Sequence, residues 1–149
     1  MATNMDRDIR WLQRFDNYKR ACAKLLEVTD SGVLVEQLSE LEREGVIQRF
    51  EYTYELAWKV LQDYLLYLGF EFQTGPNGTI QLAFENGLIS DHSGWRAMSK
   101  ARIATSHTYD ENDALEVVRS VFDSYSLLLK ELRDLLLIKE IDALEKDKF

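Results

Sequence analysis

Arg102 and His107 stand five residues apart in a chain of 149 residues, and Tyr109 follows two places later. An arginine can grip phosphate oxygens in a bidentate fork, and a histidine exchanges protons near neutral pH. Both lie in a segment, His92 to Tyr109, that also holds Arg96, Lys100 and His92 and contains no acid. Asp91 and Asp110 bound it, so it is an 18-residue island of formal charge +3 in a chain of net charge −8. Such an island suits a phosphate-bearing ligand. It equally suits a basic face whose charges pair with acids elsewhere. On a regular helix five residues rotate by about 500°, which leaves Arg102 and His107 about 140° apart. They converge only if the helix ends between them or if two copies of the chain meet across a symmetry axis. Cleavage of a phosphodiester benefits from both an acid and a base, so that chemistry would require a dimer.

A second set of polar residues lies in Phe50-Glu51-Tyr52-Thr53-Tyr54-Glu55-Leu56-Ala57-Trp58-Lys59. Glu51 and Glu55 share a helix face at i, i+4, and Lys59 continues that row. Two carboxylates there could engage the basic island, a metal-bound nucleotide or an amine. They could also form a solvated stripe with one ion pair, worth a few tenths of a kcal/mol. Tyr52 and Trp58 fall off the apolar stripe, where aromatic rings with a polar handle line grooves and interfaces.

The elements that position these residues are helical. All seven glycines and the single proline fall between Gly32 and Gly94, which predicts long helices at both ends and turns between them. The first helix is expected over about 6–28, with Ile9, Leu12, Phe15, Cys22, Leu25 and Leu26 inward. The second runs from about Val35 to a C-terminal cap at Gly69, bending at Gly45. Its stripe is Ile47, Phe50, Tyr54, Ala57, Leu61, Leu65 and Leu68. Ile80 to Asn86 makes a short connecting helix. Asp91 or Ser93 caps a third long helix carrying Trp95, Met98 and Ile103, which frays near His107. Asp110 or Asn112 starts the last, where Ala114, Val117, Val121, Tyr125, Leu128, Leu132 and Leu135 keep a seven-residue repeat. The fold expected is an all-α, up-down four-helix bundle forming a single domain over 1–149. Leu127 to Leu129 and Leu135 to Ile138 surround most of the last helix, more than one core can bury. Either the core-facing arc is wide, or the outer leucines form a subunit interface.

Composition excludes several classes. With 46% apolar and 11% aromatic residues the chain is not disordered. One cysteine permits neither an internal disulfide nor a cysteine-built zinc site, so a cytoplasmic location is expected. Met1 to Arg10 lacks an apolar stretch, no run reaches membrane-spanning length, and neither a signal peptide nor membrane association is expected. The Walker, Rossmann, zincin and nucleophile-elbow motifs are missing. His92 and His107 have no carboxylates at ligand spacing, so no metal site is expected. The −8 sits mainly in the middle: residues 32–94 carry three bases and ten acids, residues 1–31 six and five, and residues 95–149 nine and eleven. Acidity on that scale excludes indiscriminate coating of nucleic acid but leaves a local phosphate site open.

Four motifs occur in order: the Phe50 to Lys59 segment, Ile80-Gln81-Leu82-Ala83-Phe84 with Gly87-Leu88-Ile89, Trp95-x-x-Met98, and Arg102-x-x-x-x-His107-Thr108-Tyr109-Asp110-Glu111. Together, over roughly Ile9 to Leu136, they resemble the nucleotidyltransferase substrate-binding protein family of the HEPN superfamily. The resemblance implies a homodimeric four-helix bundle that partners a separate minimal nucleotidyltransferase. That partner would carry the metal-binding carboxylates and the Mg-nucleotide, since the Gly-Ser and paired-aspartate signature is missing here and no cofactor of the chain's own is implied. In such a two-component nucleotidyltransferase, Arg102, His107 and Lys100 would contact a nucleotide or other phosphate-bearing ligand. Tyr109 would lie at the site mouth, and Glu51, Glu55 and Trp58 would shape the groove. The resemblance also implies an alternative, a metal-independent endoribonuclease toxin acting on RNA. There Arg102 and His107 would be catalytic, and an antitoxin nucleotidyltransferase would add AMP to Tyr109. The residue after the arginine is usually polar in the family. Here it is Ile103, whose side chain cannot orient a phosphate, and this departure counts against the nuclease more than against binding.

Overall fold

The structure is a computed structural model that describes residues 4–107 and 110–146. It is all-helical: α1 (Asn4–Thr29), a 3-10 turn (Val35–Gln37), α2 (Glu40–Tyr67), α3 (Pro76–Glu85), α4 (His92–Thr105), α5 (Glu111–Ser120) and α6 (Ser126–Lys146). A π-helical turn, Val121–Tyr125, joins α5 and α6 into one rod. The bundle is made of α1, α2, α4 and this rod, with α3 as the short connection expected from the sequence. Successive long helices are antiparallel. Along α1 and α2, Arg7, Arg14, Ala21 and Lys24 meet Leu66, Asp63, Thr53 and Arg49 in turn.

The helix ends follow from capping chemistry. The Ser39 hydroxyl accepts from the Glu42 amide at 3.2 Å, and the Glu42 carboxylate accepts from the Ser39 amide at 2.9 Å. This reciprocal box starts α2 five residues beyond the Val35 expected from sequence. At its other end the amides of Gly69 and Phe70 donate to the carbonyls of Leu66 and Leu65. That pairing needs a left-handed residue, and Gly69 supplies it at φ +95°. α2 runs through Gly45 without a break.

The core is one cluster drawn from every long helix. The stripe expected on α2 is buried from Ile47 to Leu65, while Leu68 is 48% exposed. On α1 the buried face is centred on Trp11, Phe15, Tyr18, Cys22 and Leu25, and Ile9 is exposed. Tyr18 is accommodated because its hydroxyl donates to the Leu129 carbonyl at 2.6 Å. In α4, Trp95 and Met98 are buried but Ile103 is 58% exposed. The seven-residue repeat of the last helix is also corrected. It holds at Val121, Tyr125, Leu128 and Leu132, but Val118 rather than Val117 is buried before them and Leu136 rather than Leu135 after them, on the face set by Tyr125 and Leu132, seven residues after the one and four before the other. Leu127 and Ile138 remain exposed at 54% and 57%, as expected for a helix with more apolar faces than one core can bury. Among the described residues no helix is long and apolar enough to cross a membrane.

Candidate functional site

Asp91 is the N-cap of α4, its carboxylate accepting from the Gly94 amide at 2.9 Å. The helix closes at Thr105, where the amides of Ser106 and His107 fold back onto Ile103 and Ala104. Arg102 is therefore in the last turn and His107 just past it. A helix ending between them was the condition for convergence within one chain, yet their side chains serve different places.

Arg102 lies across α2. Its Nη1 donates to Glu51 Oε2 at 3.0 Å, and its Nε sits 3.3 Å from Glu55 Oε1, a charge contact without hydrogen-bond alignment. The i, i+4 glutamates thus engage the basic island and bracket one guanidinium, leaving the three groups with a formal charge of −1. All three are only about a quarter to a third exposed, so their attraction is less screened than that of a surface pair. Two neighbours complete the clamp. Thr105 Oγ1 donates to Glu51 Oε2 at 2.9 Å, and Trp58 Nε1 donates to Glu55 Oε2 at 3.1 Å. The half-buried Trp58 ring also carries Lys59 Nζ over it, 5.7 Å from the centroid. Behind the clamp, burial pushes the Tyr54 phenol above its ordinary pKa, so its hydroxyl, beside Ser99, stays protonated.

His107 lines a separate open cleft of about 510 Å³ with Thr105, Asp113, Glu116, Ser120 and Tyr125. Arg102 does not reach this cleft. Thr105 does both: it bonds to Glu51 in the clamp and walls the histidine cleft. Sequence reasoning passed over Thr105, Asp113 and Glu116. Thr105 is one turn beyond Arg102, and Asp113 and Glu116 are one turn apart on α5, so i, i+3 spacing from the chosen residues was the available signal.

The rest of the basic island divides. Lys100 is exposed and has no ion-pair partner among the described residues. Arg96 and His92 face α3, where the imidazole lies 5.0 Å from the Phe84 ring. Tyr109, expected at the site mouth, lies outside the described residues. Among the described residues no three His, Cys, Asp or Glu side chains are grouped as metal ligands.

The chain matches, over residues 13–137, the family described as nucleotidyltransferase substrate binding protein like. It is 35% identical over 96 residues to a Haemophilus influenzae protein named Probable ribonuclease HepT, a match covering 60% of this chain and 66% of that relative. A Thermus thermophilus protein of known crystal structure is 38% identical, with a TM-score of 0.68 over 77% of this chain and 94% of its own. A solved H. influenzae structure, described as revealing the fold of a substrate binding domain of a nucleotidyltransferase, is 26% identical. Its TM-score is 0.55, covering 87% of this chain and 98% of that one.

Proposed function

This chain belongs to the nucleotidyltransferase substrate binding protein-like family, and on that footing we propose that it is a homodimeric binding subunit of a two-component nucleotidyltransferase. It holds a nucleotide or other phosphate-bearing substrate for a separate minimal nucleotidyltransferase, which brings the catalytic carboxylates and the Mg-nucleotide. The observation that carries this reading is the clamp of Glu51 and Glu55 around Arg102. An arginine held by carboxylates can exchange one of them for a phosphate oxygen with little movement, because both present the same fork of acceptors. The carboxylate released is then free to accept a hydroxyl or ammonium proton from the other end of the ligand. Trp58, bonded to Glu55, closes the groove, whereas Lys100 lies about 200° round α4 from Arg102 and His107 lines the neighbouring cleft, so neither joins the phosphate end in a single copy. The exposed Leu127 and Ile138 are eleven residues apart, within about 20° of one helix face, and supply an apolar strip for the second copy.

A ribonuclease is the second reading, favoured by the 35% identity to the Haemophilus relative. It requires Arg102 and His107 to act on one phosphate of an RNA. In a single copy the arginine is turned onto α2 and the histidine lines another cleft, so a second copy would have to complete the site. The nucleotidyltransferase would then act as antitoxin, adding AMP at Tyr109. Co-purification with a minimal nucleotidyltransferase from the same organism tests the first reading. A mass increase of one AMP on Tyr109 after co-expression identifies the second.

A further inference from the structure

Tyr52 belongs to neither the core nor the clamp. It is 60% exposed and stands on a face of α2 about 100° round from Glu51 and about 60° from Glu55. There it overlooks an open cleft of about 580 Å³ between α1 and α2. The volume is typical of small-molecule sites. Its walls include Arg20, Lys24 and Arg49, with Asn17, Gln48 and Tyr52, and no carboxylate.

Three cations and no acid around one cleft is unexpected in a chain of net charge −8. Arg20 and Lys24 lie on one face of α1, about 6 Å apart along its axis, and neither has an ion-pair partner among the described residues. Arg49 approaches from α2 and is fixed in place: its Nη1 donates to the Lys24 carbonyl at 2.7 Å and lies 3.7 Å from Glu27 Oε2. Gly45 keeps the wall low, since a Cβ there would meet nothing within 4 Å. Acids flank the cleft along α1, Asp16 before Asn17 and Glu27 beyond Lys24. They bound the positive region to a few phosphates and would repel a longer polyanion passing through.

We infer that this α1–α2 cleft binds a mononucleotide, its phosphates gripped by Arg20, Lys24 and Arg49 and its base laid against the Tyr52 ring. Arginine and lysine neutralise the phosphate charge, and an exposed aromatic face stacks any base at low cost in ordering. The site is separate from the Arg102 clamp and needs neither a second copy nor a nucleotidyltransferase.

Calorimetric titration of the full chain with ATP in EDTA at low salt tests it. Saturable binding is expected, weakening as salt is raised. The Arg20→Glu/Lys24→Glu variant should bind at least about tenfold more weakly with its helical circular dichroism unchanged, because both side chains are exposed and unpartnered. Tyr52→Ala should weaken binding by roughly fivefold or more. In the Arg102→Ala background, where the clamp can no longer hold a phosphate, one ATP per chain should still bind, and both cleft variants are read there as well, which distinguishes this cleft from the clamp. No saturation at millimolar ATP, undiminished affinity in the double charge reversal, or loss of binding in Arg102→Ala would each overturn the assignment. So would a short single-stranded RNA that binds where ATP does not.

Discussion

Arg102 on α4 and Glu51 on α2 are 51 residues apart in sequence and 3.0 Å apart in space. The contact joins the basic island to the acidic middle of the chain. It also determines what Arg102 can do: its charge is balanced by carboxylates until a ligand or partner replaces them.

Arg102→Ala leaves Glu51 and Glu55 as unbalanced, partly buried neighbours. It should destabilise the chain by about 1 kcal/mol, between the values for exposed and buried pairs. Adding Glu51→Gln should restore part of that loss. Urea denaturation of the two single variants and the double variant gives the coupling directly, and additive losses would mean that the two side chains do not interact in solution.

His107 is exposed in an open cleft, so His107→Ala should change stability by less than about 0.5 kcal/mol. Under the binding reading, overproduction of the parent chain leaves growth and total RNA unchanged. Growth arrest with RNA cleavage, relieved by both His107→Ala and Arg102→Ala, would instead establish the ribonuclease.

Alkaline pH should destabilise the protein through α1. Burial pushes the Cys22 thiol up to about 11 and raises the Tyr18 phenol well above its usual value. Between pH 9, where the unfolded thiol ionises, and about 11, the unfolded chain binds fewer protons than the folded one. Stability therefore falls as pH rises through that window, by on the order of 2 kcal/mol for the thiol alone. Thermal melts at about pH 8 and about pH 10.5 measure the drop, and Cys22→Ser should make it shallower. An equal drop in Cys22→Ser would exclude the thiol as its source.

Gly94→Ala should unfold the start of α4. A Cβ at this position would collide with the Asp91 carboxylate that caps the helix, and with Leu128 Cδ1 at 2.8 Å. Losing the cap costs about 1 kcal/mol, and the overpacking adds to it. A fall in melting temperature larger than that of Asp91→Ala is expected, and equal falls would mean that Leu128 moves aside freely.

Much of the bundle was legible in the sequence because its signals are local. Asp91, Asp110 and Gly69 cap the helices they were expected to cap, and the stripe from Ile47 to Leu65 is buried. The departures came from tertiary context. Adjacent apolar pairs such as Val117-Val118 and Leu135-Leu136 leave the register open by one residue, so Val117 and Leu135 were expected to be core positions that Val118 and Leu136 occupy. Trp11 and Tyr18 fall outside the expected α1 stripe; the Trp11 indole N–H is buried with no hydrogen-bond partner among the described residues, whereas the Tyr18 hydroxyl is satisfied from elsewhere in the chain, by the Leu129 carbonyl. For the site, the i, i+4 glutamates and the basic island were visible separately. Their meeting around Arg102, with Thr105 as the link to the His107 cleft, is a contact between helices that only the packing of α4 against α2 creates.

The most direct test of the binding role is native mass spectrometry of the chain co-expressed with the proposed partner, a minimal nucleotidyltransferase from the same organism. The account predicts a complex that survives micromolar dilution and contains two copies of this chain with the transferase bound. A mixture of the two separate proteins at that concentration would contradict it.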